Sequence, residues 1–183
     1  LETDPAAAPF FGAMGYEKGP TIGIFQRNLT MGGDPIHFKL MAIKRATQLN
    51  IADQPTKPTW WWFCHTGRMD SIRFRLAPKK GGAPIAGVSV VGMDAYIAKW
   101  NARAIGLVDM HVRSADRGKG YGRALLIEVA RHMRQALITL AEAHSPDDNE
   151  VAAAAVTGAG FERIDTGVGY PTPACRLVVG VAG

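Results

Sequence analysis

The stretch RGKGYGRALL, residues 117–126, decides the fold of this chain because it joins two elements through a glycine-rich turn. The preceding segment RAIGLVDMHV, residues 103–112, has the apolar content of a strand inside a sheet. The following residues predict a helix over 121–136, with a core stripe of Leu125, Leu126, Val129, Ala130 and Met133. Where a strand ends in such a turn and a helix follows, several backbone N–H groups point in the same direction. They lie at the N-terminal, positive end of the helix dipole. The sequence therefore predicts an anion site, with phosphate as its ligand.

The charges around this turn agree with an anion site. Arg113, Arg117, Lys119 and Arg123 accompany one acid, Asp116. Two common nucleotide-binding motifs do not fit, because the residue after Lys119 is neither Ser nor Thr and Arg123 stands where a dinucleotide fingerprint needs its third glycine. A glycine turn without any ligand is the plain alternative.

The remaining pattern predicts strands and helices in a mixed order. The predicted elements are a helix at 34–50, a hairpin of strands at 71–78 and 83–92, the strand at 103–112, the helix at 121–136, a strand at 137–143, an alanine-rich helix within 145–160 and a strand at 161–170. Such an order indicates a mixed α/β sheet.

Composition restricts the class of protein. The 183 residues are 47% hydrophobic and 20% charged, with a net charge of +5, which is typical of one soluble globular domain. Because the chain has no membrane-length apolar run, no long basic run and no zinc-finger pattern, we expect a cytoplasmic protein that binds neither membrane nor nucleic acid. Cys64 and Cys175 have no disulfide-framework or metal-ligand spacing, so no metal is expected. The start at Leu1 leads us to expect a clipped N-terminus.

The N-terminal segment resembles a later part of the chain. DPAAAPFFGAMGYEK, residues 4–18, aligns with NEVAAAAVTGAGFER, residues 149–163, at one constant offset. We therefore expect residues 1–29 to be the tail of a preceding repeat and residues 30–183 to be the main domain. Chance similarity between two alanine-rich helices is the alternative.

Two motifs resemble those of the GNAT superfamily of N-acetyltransferases. The segment 112–126 is similar to the family's acetyl-CoA signature, R/Q-x-x-G-x-G/A at the start of a helix, with Arg117, Gly120 and Gly122 at its fixed positions. The segment 149–161 resembles the second motif, N-x-x-A-x-x-x-Y-x-x-x-G-F. The resemblance implies a GNAT-like acyltransferase fold of the mixed α/β (α+β) class, with a central, mostly antiparallel sheet flanked by helices.

The resemblance implies acetyl-CoA (coenzyme A) as the cofactor. It implies that main-chain N–H groups of 117–122 bind the pyrophosphate, that the backbone of 110–112 pairs with the pantetheine arm, and that Asn149 lies beside the cofactor. The expected cofactor-binding residues are Met110, Val112, Arg117, Gly118, Lys119, Gly120, Tyr121, Gly122, Arg123 and Asn149.

The second motif departs from the family pattern at one position. Val156 stands where the family often has a tyrosine that protonates the departing thiolate, and valine cannot donate a hydrogen bond. Either Tyr170 or water serves instead, or the domain binds coenzyme A without much catalysis.

Transfer to an amine needs a group that takes a proton. On the strand 103–112, alternation places Asp109 and His111 on one face and Val108, Met110 and Val112 on the other. Either polar residue could be the base; the alternative is a hydrogen-bonded pair that supports the sheet.

Other polar and aromatic residues have weaker claims to a role. His144 is a further candidate for the base, with a solvent-facing loop histidine as the alternative, and Glu142 could attract an amine. The tryptophans at 60–62 and His65 could line the acceptor pocket or simply pack in the core.

We therefore expect an N-acetyltransferase that moves an acetyl group directly from the thioester to a small-molecule or peptide amine. One alternative is a catalytically degenerate coenzyme A-binding module that regulates or scaffolds a partner, and another is a peptide-binding domain whose glycine loop is only a turn. A homo-oligomer or a preceding GNAT repeat is a possible protein partner.

Overall fold

The structure is a computed structural model that describes residues 4–31, 33–52, 71–94 and 97–170. These residues contain seven strands and five α-helices. The elements are α1 (Ala7–Ala13), β1 (Thr21–Asn28), α2 (Phe38–Ala46), β2 (Thr47–Ala52), β3 (Ser71–Pro78), β4 (Ala86–Gly92), α3 (Ile97–Trp100), β5 (Ala104–Val112), α4 (Tyr121–Gln135), β6 (Leu140–Pro146), α5 (Glu150–Gly158) and β7 (Glu162–Val168).

The described strands form one seven-stranded sheet in the order β2-β3-β4-β5-β6-β1-β7. Strands β5 and β6 are parallel, and the other neighbouring pairs are antiparallel. The crossover between the parallel strands is helix α4, as expected for a β-α-β unit. The predicted mixed fold with a mostly antiparallel sheet is confirmed.

Helices α2, α4 and α5 pack on one face of the sheet and form the core with it. The stripe predicted on α4 is confirmed, because all five of its residues are buried: Leu125, Leu126, Val129, Ala130 and Met133. Phe74 and Val88 contribute to the same core from β3 and β4. The opposite side of the sheet, here called the far face, carries the polar residues described below.

Two element boundaries differ from the sequence prediction. The segment 34–50, predicted as one helix, is α2 followed directly by β2. Thr47 ends the helix, because its hydroxyl donates a hydrogen bond of 2.8 Å to the Ile43 carbonyl and the residue itself pairs with β3. The strand predicted from residue 137 begins at Leu140. Leu137 has φ 61° and bonds back to the Arg134 carbonyl, so the chain is still leaving α4 at that point.

Strand β1 lies inside the sheet, hydrogen-bonded to β6 on one side and β7 on the other. Residues 21–28 precede the domain boundary expected after residue 29, yet they are an internal strand of the same sheet. The origin of this segment in a preceding repeat stays a prediction.

A β-bulge interrupts β5 at Asp109. Gly87 of β4 faces His111, whereas Ser89 faces Val108, so β5 has one residue more than its partner in this interval. Asp109 has a left-handed φ of 51°. The bulge reverses the alternation of side chains, so the prediction that Val108 shares a face with Met110 is wrong: Met110 packs against the core, and Val108 lies with Ser89 on the far face.

Some predictions fall outside the described residues. These are the tryptophans at 60–62, the two cysteines at 64 and 175, and His65. Among the described helices, none is both long and apolar enough to cross a lipid bilayer.

Candidate active site

Strands β5 and β6 separate part of the way along the sheet. Their pairing runs from Ala104 with Leu140 to Leu107 with Ala143, while β5 continues to Val112. Because β6 no longer bonds this last part of β5, backbone groups on that edge are available to another extended chain. The split begins after Leu107, on the part of β5 that leads to the glycine-rich loop.

The loop presents its backbone without side-chain obstruction. Gly118 and Gly120 have φ angles of 72° and 91°, a conformation that L residues with a Cβ rarely adopt. A Cβ added to Gly118 would meet nothing within 4 Å, so the space above it is open. Helix α4 starts at Tyr121, directly after Gly120, and its first N–H groups face the same opening.

A buried acid shapes this loop. Asp116 accepts hydrogen bonds from Arg113 Nε at 2.6 Å and Lys119 Nζ at 3.2 Å. The hydrogen bond from Arg113 holds the pKa of Asp116 below its usual value, with Lys119 adding to the effect against the opposing influence of burial. Lys119 is therefore engaged with the loop itself, and Arg117 and Arg123 are the cations that line the opening.

The loop, the end of β5 and helix α5 enclose a cleft of about 740 Å³. Its lining is Met110, His111, Val112, Asp116, Arg117, Gly118, Gly120, Tyr121, Gly122, Arg123, Asn149, Val151, Ala152, Ala154 and Ala155. Nine of the ten expected cofactor-binding residues therefore meet in one place, and Lys119 does not line the cleft. Sequence reasoning missed the small residues of α5; their spacing on one helix face was the available signal.

Arg123 is the one cation of the lining that is packed into the wall. An added Cβ on Gly158 of α5 would lie 3.0 Å from Arg123 Cδ, so the arginine stem rests on the glycine. Its Nε is buried and has no hydrogen-bond partner in the described part of the chain. The glycine cradle holds the positively charged Arg123 in the cleft lining, which fits a phosphate-bearing ligand such as acetyl-CoA.

A polar network lies on the far face beside the bulge. Arg73 of β3 is buried and donates to Ser89 Oγ at 2.7 Å, to Asp109 and, at 2.8 Å, to His111 Nδ1. Both catalytic candidates of β5 thus share one guanidinium.

The contact with Arg73 decides which nitrogen of His111 carries the proton. A guanidinium has no acceptor, so Nδ1 must accept and the proton of the neutral ring is on Nε2. The ring lies over Gly87, where an added Cβ would be 2.7 Å from His111 Cε1. His111 is therefore arranged to donate a hydrogen bond from Nε2 rather than to accept a proton.

Tyr170, the candidate proton donor, and Val156, which stands at the family's tyrosine position, both lie outside the cleft lining. Val156 is 3% exposed and belongs to the core, so position 156 does not line the cleft. Tyr170 stacks on Phe11 of α1, with ring centroids 4.5 Å apart, and is also absent from the lining. Asn149 caps α5 by accepting from the Ala152 N–H at 3.0 Å, which places its amide at the cleft wall.

A second histidine lies near the start of the split. His144 Nε2 is 2.9 Å from Glu142 Oε1, and Gln26 of β1 donates to Glu142 Oε2 at 2.8 Å. These bonds, first that with His144 and then that with Gln26, hold the pKa of Glu142 below its usual value although burial opposes them.

The chain belongs to the GNAT family of acetyltransferases: residues 41–161 match the model of that family. The match runs from within α2 to the end of the second motif and includes β2 to β6, the glycine loop and the residues that line the cleft. The resemblance noted from the two motifs is therefore confirmed. No curated protein sequence matches the chain.

Solved structures show the same fold at low sequence identity. A tandem GNAT protein from the clavulanic acid biosynthesis pathway, solved without acetyl-CoA, has a TM-score of 0.59 at 19% identity over 92% of this chain and 60% of its own. A GCN5-related N-acetyltransferase from Kribbella flavida gives 0.60 at 13% identity over 96% of this chain and 67% of its own. A GNAT-family acetyltransferase from Colwellia psychrerythraea gives 0.58 at 17% over 83% and 55%. The chain spans about 60% of the length of the tandem protein.

Proposed function

We propose that the protein transfers an acetyl group directly from acetyl-CoA to an amine. The observation that carries this proposal is the continuous cleft that connects the glycine-rich loop with the split between β5 and β6. One end suits a pyrophosphate and the other offers the unpaired edge of a strand, so the two ends fit the two halves of one donor molecule.

Each part of the cleft has a distinct task in this proposal. The N–H groups of residues 117–122 bind the pyrophosphate, and the positive charges of Arg117 and Arg123 balance its negative charge. The edge of β5 from Val108 to Val112 bonds the pantetheine arm and points the thioester towards the start of the split. Acetyl-CoA supplies the activated acyl group when it is bound.

His111 is the proposed hydrogen-bond donor to the leaving sulfur. Its Nε2–H is fixed by Arg73, and it lines the cleft on the strand that would carry the pantetheine arm. A hydrogen-bond donor there stabilises the negative charge that develops on the sulfur. Val156 cannot do this, because valine has no donor.

A transfer assay tests the proposal. We expect the release of free thiol when acetyl-CoA is mixed with a panel of ethanolamine, glucosamine, lysine, an aminoglycoside and a peptide with a free N-terminus. Gly118→Asp is the matched variant, because an added Cβ at Gly118 meets nothing within 4 Å while a carboxylate in the loop repels a pyrophosphate. We expect that variant to fold and to lose at least ~90% of the transfer rate, since an electrostatic repulsion of ~1.4 kcal/mol already lowers the rate tenfold.

The assay also separates the second candidate function. Val156 in the core and Tyr170 against α1 give the cleft no donor at the family's tyrosine position, and the tyrosine of the described lining, Tyr121, lies at the start of α4 beside the glycine loop; this favours a coenzyme A-binding module without turnover. Binding of acetyl-CoA without transfer to any amine of the panel would support that module and contradict the enzyme.

A further inference from the structure

We infer that Glu142 and His144 form the proton-accepting pair of the reaction. His144 is the catalytic residue that takes the proton of the acceptor amine, and Glu142 is the positioning residue that orients it. The inference rests on the proposed function, because it assigns the base of that same transfer.

The position of His144 follows from the strand register. Leu107 pairs with Ala143, and His144 is the next residue of β6, so it stands where β5 and β6 part. Ala143 belongs to the core, and adjacent residues of a strand point to opposite faces, so His144 lies on the far face. The proposed path of the pantetheine arm ends at this point.

The hydrogen bond with Glu142 determines which ring nitrogen of His144 carries the proton. A carboxylate accepts, so His144 Nε2 donates and the lone pair of the neutral ring is on Nδ1. This is the reverse of His111, whose Nδ1 accepts from Arg73. One histidine of the far face is thus held as a donor and the other as an acceptor.

The exposures of the two side chains fit His144 as the base and Glu142 as the residue that orients it. The His144 side chain is 56% exposed, so an amine can reach it, whereas the Glu142 side chain is 11% exposed and anchored by Gln26. Asp109, the acid predicted on β5, already pairs with Arg73. The Glu142 carboxylate therefore orients an accessible imidazole, as the acid of a catalytic triad does.

The step balances without a further reactant. The amine lone pair attacks the thioester carbonyl carbon and forms the C–N bond, and the nitrogen gives a proton to His144 Nδ1. The C–S bond then breaks and the sulfur leaves with its electron pair, beside the Nε2–H of His111. The proton on His144 passes to the sulfur, so an amine and a thioester become an amide and a thiol.

A spectroscopic test needs no substrate. Two-bond ¹H–¹⁵N spectra of the full chain, with His144 assigned by its loss in His144→Gln, report which ring nitrogen carries the proton. We expect the Nε2–H form in the native protein and a mixture of the two forms in Glu142→Gln. An Nδ1–H ring, or a ring unaffected by Glu142→Gln, would overturn the pairing.

Kinetics test the catalytic role with acetyl-CoA and the fastest amine of the panel. His144→Gln should lower kcat at least ~100-fold, the usual size of a general-base effect, and leave the calorimetric Kd for acetyl-CoA within ~2-fold. Glu142→Gln should lower kcat ~10-fold with the same Kd, because an amide can either accept from Nε2–H or donate to Nε2, so only part of the population keeps the lone pair on Nδ1. Free imidazole should restore part of the rate of His144→Ala.

His37→Gln is the control, since this histidine caps α2 and lines a separate pocket between α2 and α4, whereas His144 lies where β5 and β6 part. An unchanged kcat in His144→Gln would overturn the dyad while native transfer still supports the proposed function. A native protein that binds acetyl-CoA but acetylates nothing would overturn both.

Discussion

Asp34 lies where three arginines from the sheet and α4 converge. Its carboxylate accepts from Arg27 at 2.8 Å, from Arg134 at 3.0 Å and from Arg131 at 3.1 Å. The side chains of Asp34 and Arg27 are 12% and 5% exposed, so this is a buried ion pair rather than a surface one. One acid thus ties β1 to the helix that carries the glycine loop.

Removing this charge should destabilise the protein strongly. Asp34→Asn leaves the buried Arg27 without a counter-ion, and we expect the free energy of unfolding to fall by ~3 kcal/mol in urea denaturation. Glu128→Gln is the matched control, because Glu128 bridges the more exposed Lys44 and Arg131 and should cost only ~1 kcal/mol. Equal losses in the two variants would contradict the buried role of Asp34.

The same acid makes part of this stability depend on pH. Burial acts to raise the pKa of Asp34, but the hydrogen bonds from Arg27 and Arg134 and the charges of Arg134 and Arg131 outweigh it, so the pKa in the folded protein is below its usual value. The stabilisation is complete above the unfolded pKa and is lost as pH falls through the folded one. The difference between the native protein and Asp34→Asn should therefore shrink below about pH 4.

At the scale of elements, the bulge in β5 couples two strands to the site. It brings Asp109 and His111 to Arg73, and it sets Gly87 opposite His111. A glycine is required there because a Cβ would overlap the imidazole, 2.7 Å from Cε1. The β4–β5 pair thereby fixes a ring that the cleft uses.

Gly87→Ala should displace His111 and slow transfer. We expect a fall in kcat of about tenfold, with acetyl-CoA binding retained because the glycine loop is untouched. In a double-mutant cycle, His111→Ala should have little further effect in the Gly87→Ala background. Additive effects of the two substitutions would show that Gly87 does not act through His111.

Elements in which apolar residues recur at a regular spacing could be predicted from the sequence, whereas the bulge in β5 could not. Helix α4 was placed within one residue of its end because its apolar stripe repeats at helical spacing. The extra residue at Asp109 has no periodic signature, so the faces of Val108 and Met110 were misassigned. The boundary at Thr47 was missed because α2 and β2 follow each other without a turn.

At the scale of the whole molecule, the sheet is built from both ends of the described chain. Strand β1 pairs with β6 and β7, so residues far apart in sequence form adjacent strands. Gly15 and Gly160, which the repeat alignment superposes, have similar φ angles of 79° and 87°, each after a helix. Because a left-handed glycine commonly ends a helix, the derivation of residues 1–29 from a GNAT-like repeat stays a prediction.

The residues that line the candidate cofactor cleft were predictable because they lie in two short motifs. The end of β5 and the glycine loop are contiguous in sequence, Asn149 begins the second motif, and the fold brings them to one cleft. The far-face networks were not predictable as contacts, since Arg73 joins His111 and Gln26 joins Glu142 only through strand order and register.

Calorimetric titration of acetyl-CoA tests the central claim, the donor site at the glycine loop, most directly. Gly118→Asp and Gly81→Asp are a matched pair, because both glycines have positive φ and an added Cβ at either meets nothing within 4 Å, so the backbone cost is similar. We expect Kd in the range of about 1 μM to 1 mM for the native protein, a similar Kd for Gly81→Asp, and at least ~10-fold weaker binding for Gly118→Asp. A folded native protein that binds no acetyl-CoA, or a Gly118→Asp variant that binds as well as Gly81→Asp, would contradict the assignment.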